Sequence, residues 1–228
     1  MRITVFGAAG AVGSRVVTEA LSRGHHVTAV VRDPSRYQPA PTAAAHPDTA
    51  HPDTAATPAA TLGVGDANDP ADAARLIADH DLVITAVRPP PGHEADLVTT
   101  TQTLLSAAHH AATRILLVGG AATLTVPGSG ATMVLDDPAH LPAAYRPIAL
   151  ACAAQLQACR ASAADWTYLS PAAQLLPGAR TGAYRLGADE LLLDADGTSA
   201  ISMEDLAVAL LDEAEHPRHR RTRFTVAY

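Results

Sequence analysis

The chain contains no lysine, so arginine accounts for all 16 of its lysine-plus-arginine residues and no catalytic lysine is available. It also has no apolar run near the roughly 18 residues that a membrane-spanning helix requires. After Met1 and Arg2 the chain runs through Ile3, Val5 and Phe6 into glycines, without the basic segment and the long apolar stretch of a signal peptide. We therefore expect no membrane association and a cytoplasmic location.

Cysteine is scarce, with Cys152 and Cys159 as the only two. Both fall on one predicted helix, where seven residues separate them by about 10.5 Å along the axis, which is too far for a disulfide. We expect small core residues or, alternatively, reducible thiols.

The formal net charge is −7, and arginines cluster only near the C-terminal end, at residues 218–223. This balance argues against nucleic acid as a partner. A small-molecule substrate is expected instead, for a monomer or a homodimer.

A chain of 228 residues can bury one self-sufficient core, so a single domain over residues 1–228 is expected. Apolar, β-rich runs alternate with helical patterns, which predicts an α/β fold: a doubly wound parallel sheet with helices on both faces. The predicted strands are 3–6, 27–31, 82–87, 115–118, 166–169 and 223–228, with a further strand before Gly65. The predicted helices are 12–21, 71–78, 94–112, 147–161 and 204–215.

Residues 39–60 interrupt this alternation with a low-complexity segment in which Ala-His-Pro-Asp-Thr occurs twice in tandem. Such a composition cannot bury a core and predicts a flexible surface insertion within the domain. His46 and His51 are interpreted as residues of a solvated loop rather than metal ligands, and no metal site is predicted.

The strongest functional motif is Gly7-Ala8-Ala9-Gly10-Ala11-Val12-Gly13, directly after the first strand and at the start of the first helix. Glycines at these positions permit a sharp turn, a close approach to a pyrophosphate and tight packing of the helix on the strand. The helix N-terminus adds free N–H groups and a positive dipole end. The pattern predicts dinucleotide contacts at Gly7, Ala9, Gly10, Ala11, Val12 and Gly13.

The second strand ends at Arg32, where NAD-binding proteins usually have an acidic residue for the ribose hydroxyl. A cation at this point suits a 2′-phosphate, so Arg32 and Arg36, with Ser35 nearby, favour NADP(H). Asp33 leaves NAD(H) open, because it would serve a hydroxyl if the strand ended one residue later.

Two further segments follow strands at the same predicted edge. Asp66 comes after the third strand and is a candidate contact for the adenine. Ala86, Val87 and Arg88 end the fourth strand, where the nicotinamide ribose is expected, and three prolines stiffen the exit. A plain loop would also explain the prolines.

Beyond the glycine loop, five further segments form a recognisable combination: residues 117–121, 165–171, 177–182, 201–207 and 223–228. Together they resemble the NAD(P)H-binding family of atypical short-chain dehydrogenase/reductases, which includes NADH-flavin reductases. Biliverdin-IXβ reductase and a nitrogen-repression type of NADP-binding regulator are more distant likenesses. It implies a Rossmann-like sheet with NADP(H) along its carboxyl edge. It also implies cofactor contacts at Gly119, Ser170 and Pro171.

Catalytic candidates are fewer. Tyr145 is followed four residues later by Ala149 instead of the activating lysine of typical short-chain dehydrogenases, so it is a pocket wall or a general acid without its usual partner. Thr123, just past the fifth strand, is a candidate substrate-facing hydroxyl or a strand-end cap. His140 is a candidate proton donor or a surface residue.

Without an activated phenol, ketone reduction is disfavoured relative to hydride transfer to a flavin or quinone, which takes its proton from water. The sequence thus predicts an NAD(P)H-dependent oxidoreductase, with NADP(H) favoured and flavin as a substrate rather than a prosthetic group. Residues 124–144 and 175–189 would enclose the acceptor. Two alternatives stay open: a non-catalytic NADP(H)-binding redox sensor, and a reductase, isomerase or cyclase of a specialised pathway.

Overall fold

The structure is a computed structural model that describes residues 1–37 and 59–228. Five α-helices surround the sheet in the described ranges: α1 (Ala11–Ser22), α2 (Pro70–Ile77), α3 (Asp96–His110), α4 (Arg146–Ala161) and α5 (Met203–Glu215). The strands are β1 (Arg2–Phe6), β2 (His26–Val31), β3 (Thr61–Val64), β4 (Leu82–Thr85), β5 (Arg114–Val118), β6 (Trp166–Ser170), β7 (Gln174–Leu176), β8 (Arg185–Gly187), β9 (Ala200–Ser202) and β10 (Thr222–Ala227).

The central sheet has eight strands in the order β3-β2-β1-β4-β5-β6-β10-β8. All neighbours pair in parallel except β8, which runs antiparallel to β10 at one edge. The strand order reverses between β1 and β4. In such sheets, ligands bind in the crevice outside the carboxyl ends of the strands at this reversal.

Helices cover both faces of the sheet. Helix α1 packs against α5 on one face, and α3 packs against α2 and α4 on the other. Side chains of β1 pack on both faces of the sheet. Ile3 and Val5 belong to the core under α1 and α5, and Phe6 belongs to the core on the opposite face. The predicted doubly wound α/β fold is confirmed.

Local sequence explains where the helices begin. The Asp69 carboxylate accepts hydrogen bonds from the backbone N–H groups of Ala71 (2.7 Å) and Asp72 (3.1 Å), and Pro70 occupies the first helical position. Ser202 caps α5 by accepting from the N–H of Asp205 at 2.9 Å. The predicted helices are all present, and no end is shifted by more than two residues.

The strand predictions hold for the main sheet, although β4 ends at Thr85 rather than at Val87. Sequence reasoning missed β8 and the small sheet in which β7 pairs in parallel with β9. Each of these strands has only three residues, so periodicity gives no signal.

Several other expectations concern segments away from the sheet. Cys152 and Cys159 are both free, and Cys159 is buried. The predicted insertion at 39–60 falls almost wholly outside the described residues, as do His46 and His51. In the described part of the chain, no helix combines the length and apolar character needed to cross a bilayer.

Candidate functional site

A cleft of about 570 Å³ opens at the carboxyl ends of β1, β2, β3 and β4, where the strand order reverses. Many of the predicted cofactor contacts line it: Gly7, Ala9, Gly10, Ala11, Val12, Arg32, Asp66, Ala86, Val87 and Arg88. The topology therefore brings four separate stretches of sequence to one site.

Two close contacts between backbone segments, at Gly7 and at Gly13, determine the shape of the glycine loop. Gly7 has a φ of +82°, and a Cβ there would lie 2.7 Å from the carbonyl oxygen of Ala86. A Cβ on Gly13 would lie 2.1 Å from the carbonyl oxygen of Gly7. Only glycine fits these positions, so the loop turns sharply and α1 starts directly above β1. Gly13 itself does not line the cleft.

Helix α1 presents its N-terminus to the cleft. Gly10 is the N-cap and supplies no side-chain hydrogen bond, and the first turn holds no acidic residue. The first N–H groups of a helix have no intrahelical carbonyl partners, and they carry the positive end of the helix dipole. This end of α1 is therefore suited to an anionic group such as a pyrophosphate.

Arg32 and Asp33 line the cleft at the end of β2, and their side chains differ in exposure and in the hydrogen bonds that they make. The Asp33 carboxylate accepts from the backbone N–H of Ser35 (3.0 Å) and from its hydroxyl (2.7 Å), capping the 3-10 turn Pro34–Arg36. The Arg32 side chain is exposed at the rim. The side chain of Arg36 lies outside what the structure describes.

The rim after β3 is fixed by a short polar network. The Asp66 carboxylate accepts from the N–H of Asn68 at 3.0 Å, and the Asp66 N–H donates to Asp72 at 2.9 Å. The Thr100 hydroxyl donates to the Asn68 side-chain oxygen at 2.5 Å. Asn68 and Thr100 also line the cleft and were missed, because their role depends on contact between distant segments.

The opposite end of the cleft is more apolar. Pro89 and Pro90 follow Arg88, and Leu175 and Met203 approach from β7 and the start of α5. Leu175 lies within the predicted 175–189 wall, but Met203 was missed. The pairing of β7 with β9 places both side chains there.

The remaining cofactor candidates lie away from the cleft. Gly119 is a packing position, since a Cβ there would overlap the Tyr168 ring at 1.9 Å. Ser170 ends β6 fully buried, and its hydroxyl has no hydrogen-bond partner among the described residues. Pro171 is buried beside it. None of these three is among the cleft-lining residues.

The catalytic candidates also lie outside the cleft lining. The Thr123 hydroxyl accepts a hydrogen bond of 2.8 Å from the Arg223 guanidinium. Tyr145 is 53% exposed in a 3-10 turn before α4. His140 Nδ1 lies 3.0 Å from the Asp137 carboxylate. The structure does not bring these three residues together with the glycine loop.

Residues 124–144 form their own packed unit instead of lining the cleft. Leu124, Val126 and Val134 make an apolar cluster with Leu191. Thr125 forms isolated bridges with Met133 and Glu190. Residues 124–144 contribute no lining residue to the cleft, so no contact there supports their expected role in covering the acceptor.

The electrostatics of the cleft come from few side chains. Its charged lining residues in the described ranges are Arg32, Asp33, Asp66, Arg88 and Asp96, and it has no lining tyrosine, histidine or cysteine.

Cys152 lies outside the cleft lining but close enough to Arg88 to interact with its charge. Burial raises the pKa of Cys152 to about 11, although the arginine charge opposes this shift. Cys152 is therefore a neutral thiol at neutral pH and not an activated nucleophile.

The family model for NAD(P)H-binding proteins matches residues 7–217, from the glycine loop to beyond α5. The chain belongs to the NAD(P)H-binding family. This membership agrees with the sheet order, with the glycine loop on β1 and with the helix N-terminus that faces the cleft.

Relatives of this NAD(P)H-binding protein match over nearly its whole length. YwnB, an uncharacterized protein of Bacillus subtilis, is 36% identical over 99% of this chain and 98% of its own. A solved structure named "putative NADH-flavin reductase" from Streptococcus pneumoniae has a TM-score of 0.82 at 28% identity, covering 100% of this chain and 99% of that one. Another, named "putative epimerase" from Bacteroides thetaiotaomicron, has a TM-score of 0.83 at 32% identity, covering 100% and 96%.

Proposed function

We propose that this protein is an NADP(H)-dependent oxidoreductase that passes a hydride to a flat, electron-poor acceptor of the flavin or quinone type. The proposal depends on the two side chains that follow β2, Arg32 and Asp33. There the cleft presents the exposed Arg32 side chain, while the neighbouring Asp33 carboxylate binds Ser35 and caps a turn. A cation at this position favours a 2′-phosphate over a free ribose hydroxyl.

The residues of the cleft fit a dinucleotide. The N-terminus of α1 would hold the pyrophosphate through backbone N–H groups. Gly10 keeps this approach open, since a Cβ there would already lie 3.1 Å from the Gly7 carbonyl oxygen. Asp66 stands at the adenine end of the proposed cofactor, with Ala86 to Arg88 toward the nicotinamide end.

The class of acceptor follows from the proton that each reaction requires in addition to the hydride. When bound, the reduced cofactor supplies a hydride, that is, two electrons and one proton. Reduction of a carbonyl also needs a proton at oxygen from a placed donor. The described cleft lining contains no tyrosine, histidine or cysteine for this task. A flavin or quinone takes its second proton from water, so such an acceptor needs orientation more than acid catalysis.

The apolar end of the cleft suits a flat ring system. Val12, Leu175 and Met203 line it together with the prolines after Arg88. The name of the Streptococcus pneumoniae neighbour also supports a flavin acceptor. We treat the flavin as a substrate that binds and leaves.

The name of the Bacteroides thetaiotaomicron neighbour favours a second candidate, an epimerase. An epimerase that uses a nicotinamide cofactor takes a hydride from its substrate and returns it to the same substrate, so it does not consume NADPH over a full cycle. A redox sensor would bind NADPH and not oxidise it with any acceptor. Net NADPH consumption therefore distinguishes the proposed reductase from both alternatives.

The test is NADPH oxidation with FMN, riboflavin and a quinone supplied in parallel. We expect turnover that depends on the acceptor and is lost in Gly10→Asp, which places a carboxylate at the α1 N-terminus. Ala71→Asp is the matched control, because it adds a carboxylate at the exposed N-terminus of α2, outside the cleft. Tight NADPH binding without oxidation by any of the three acceptors would overturn the proposal.

A further inference from the structure

A second cavity, of about 210 Å³, lies away from the dinucleotide cleft. Trp166 and Thr222 line it, and they are the first residues of the neighbouring parallel strands β6 and β10. The cavity therefore opens near the amino ends of these strands, whereas the cleft lies at carboxyl ends. The two sites share no lining residue among those described.

The lining of this cavity is strongly basic for a chain of net charge −7. Its lining includes Arg160, Arg221 and Arg223, with Asp189 as its one carboxylate. Three guanidinium groups against one carboxylate leave an excess of two positive charges.

The three arginines differ in how far they are already engaged. Buried Arg223 donates through Nε to Asp189 at 2.9 Å. Arg221 donates to the carbonyl oxygens of Ser162 (3.1 Å) and Ala163 (3.3 Å) just beyond α4. The Arg160 side chain is exposed in the last turn of α4 and makes no hydrogen bond or ion pair in the described part of the chain. At least one guanidinium is thus available to a ligand.

Trp166 lies in the wall of the same cavity. The residue is only 4% exposed, and its indole Nε1 is buried with no hydrogen-bond partner in residues 1–37 and 59–228. Buried indole N–H groups normally find an acceptor. Because an indole N–H can only donate, the partner that Nε1 lacks is an acceptor atom.

We propose that this cavity binds a phosphate group, free or esterified to a small molecule. Guanidinium groups match the geometry of phosphate oxygens, and two excess positive charges suit a dianion better than a single carboxylate. Thr222 also lines the cavity. The site is distinct from the proposed cofactor cleft, so it does not depend on the proposed function.

Trp166 supplies the measurement, because it is the only tryptophan in the chain. Its fluorescence is followed during titration of the full-length protein with inorganic phosphate, with glycerol 3-phosphate and with glycerol. We expect a saturable change with one or both phosphates and none with glycerol. Tighter binding of glycerol 3-phosphate would indicate an ester ligand, and tighter binding of phosphate would indicate the free anion.

Substitutions test whether the fluorescence change arises from binding at this cavity. Arg160→Ala, which removes no contact made within the described chain, is expected to weaken phosphate binding about tenfold or more. Arg2→Ala, which removes an exposed arginine paired with Asp81, should leave the titration unchanged. Arg32→Glu should also leave it unchanged, since Arg32 belongs to the cofactor cleft. Absence of a saturable response, an equal response to glycerol, or an unaltered response in Arg160→Ala would each overturn the proposal.

Discussion

The Arg223 guanidinium donates a hydrogen bond of 2.8 Å to the hydroxyl oxygen of Thr123, joining β10 to the turn that follows β5. Arg223 is buried, with 7% of its surface exposed, and its other donors bind Asp189. Thr123 is therefore an acceptor for a buried cation. This contact gives the residue a structural role through a partner 100 positions away, which the sequence did not indicate.

Thr123→Val tests that role. We expect the free energy of unfolding to fall by about 1–3 kcal/mol, because a buried donor of Arg223 loses its partner. The kcat of acceptor-dependent NADPH oxidation should change little. Urea denaturation and steady-state kinetics measure the two effects. Thr99→Val, at an exposed position on α3, is the control and should alter neither quantity. A large loss of kcat at unchanged stability would instead assign Thr123 to the substrate.

Arg32→Glu tests the cofactor preference. The substitution replaces a cation with an anion where the 2′-phosphate is proposed to bind, so kcat/KM for NADPH should fall by about ten- to a hundredfold. The value for NADH should fall far less. Arg2→Glu makes the same charge change at an exposed arginine outside both cavities and should leave the NADPH to NADH ratio unchanged. An equal loss with both cofactors would contradict the assignment of Arg32.

Glu213 makes stability depend on acidic pH. Burial raises the pKa of this carboxyl, but hydrogen bonds from the backbone N–H and side chain of His219 and from Arg114 outweigh burial and lower it below its ordinary 4.5. A group with a lowered folded-state pKa stabilises the protein above its unfolded pKa and loses that contribution as pH falls through the folded value. We expect the melting temperature to drop as the pH falls below about 4.5.

Glu213→Gln should destabilise the protein at neutral pH by about 3 kcal/mol, because the Arg114 side chain, 7% exposed, loses its buried counter-charge. The variant should also show a shallower loss of melting temperature with acid. Glu190→Gln, at an exposed position, is the control. Identical pH profiles for Glu213→Gln and the unmodified protein would refute the role of Glu213.

The fold was largely predictable because its elements carry local signals. The glycine loop, the capping residues Asp69 and Ser202 and the apolar runs of the main strands each act within a few residues. The ten predicted contacts that line the cleft follow directly after β1, β2, β3 and β4, where topology alone brings them together.

The rest of the candidate site depends on contacts between distant segments. Met203 reaches the cleft through the pairing of β7 with β9, two strands of three residues each. The Thr123 contact depends on a residue 100 positions away. Tyr145 was singled out by a family pattern, yet it lies exposed outside the cleft lining. Sequence spacing carries no information about such long-range placement.

The central claim is that the cleft above the glycine loop binds NADPH, and fluorescence titration of NADPH tests it most directly. The unmodified protein and Ala71→Asp should bind NADPH saturably with equal affinity. Gly10→Asp should keep its fold by circular dichroism and lose binding, because its carboxylate repels the pyrophosphate at the α1 N-terminus. Equal NADPH affinity in Gly10→Asp and the unmodified protein, or no binding by either, would contradict the account.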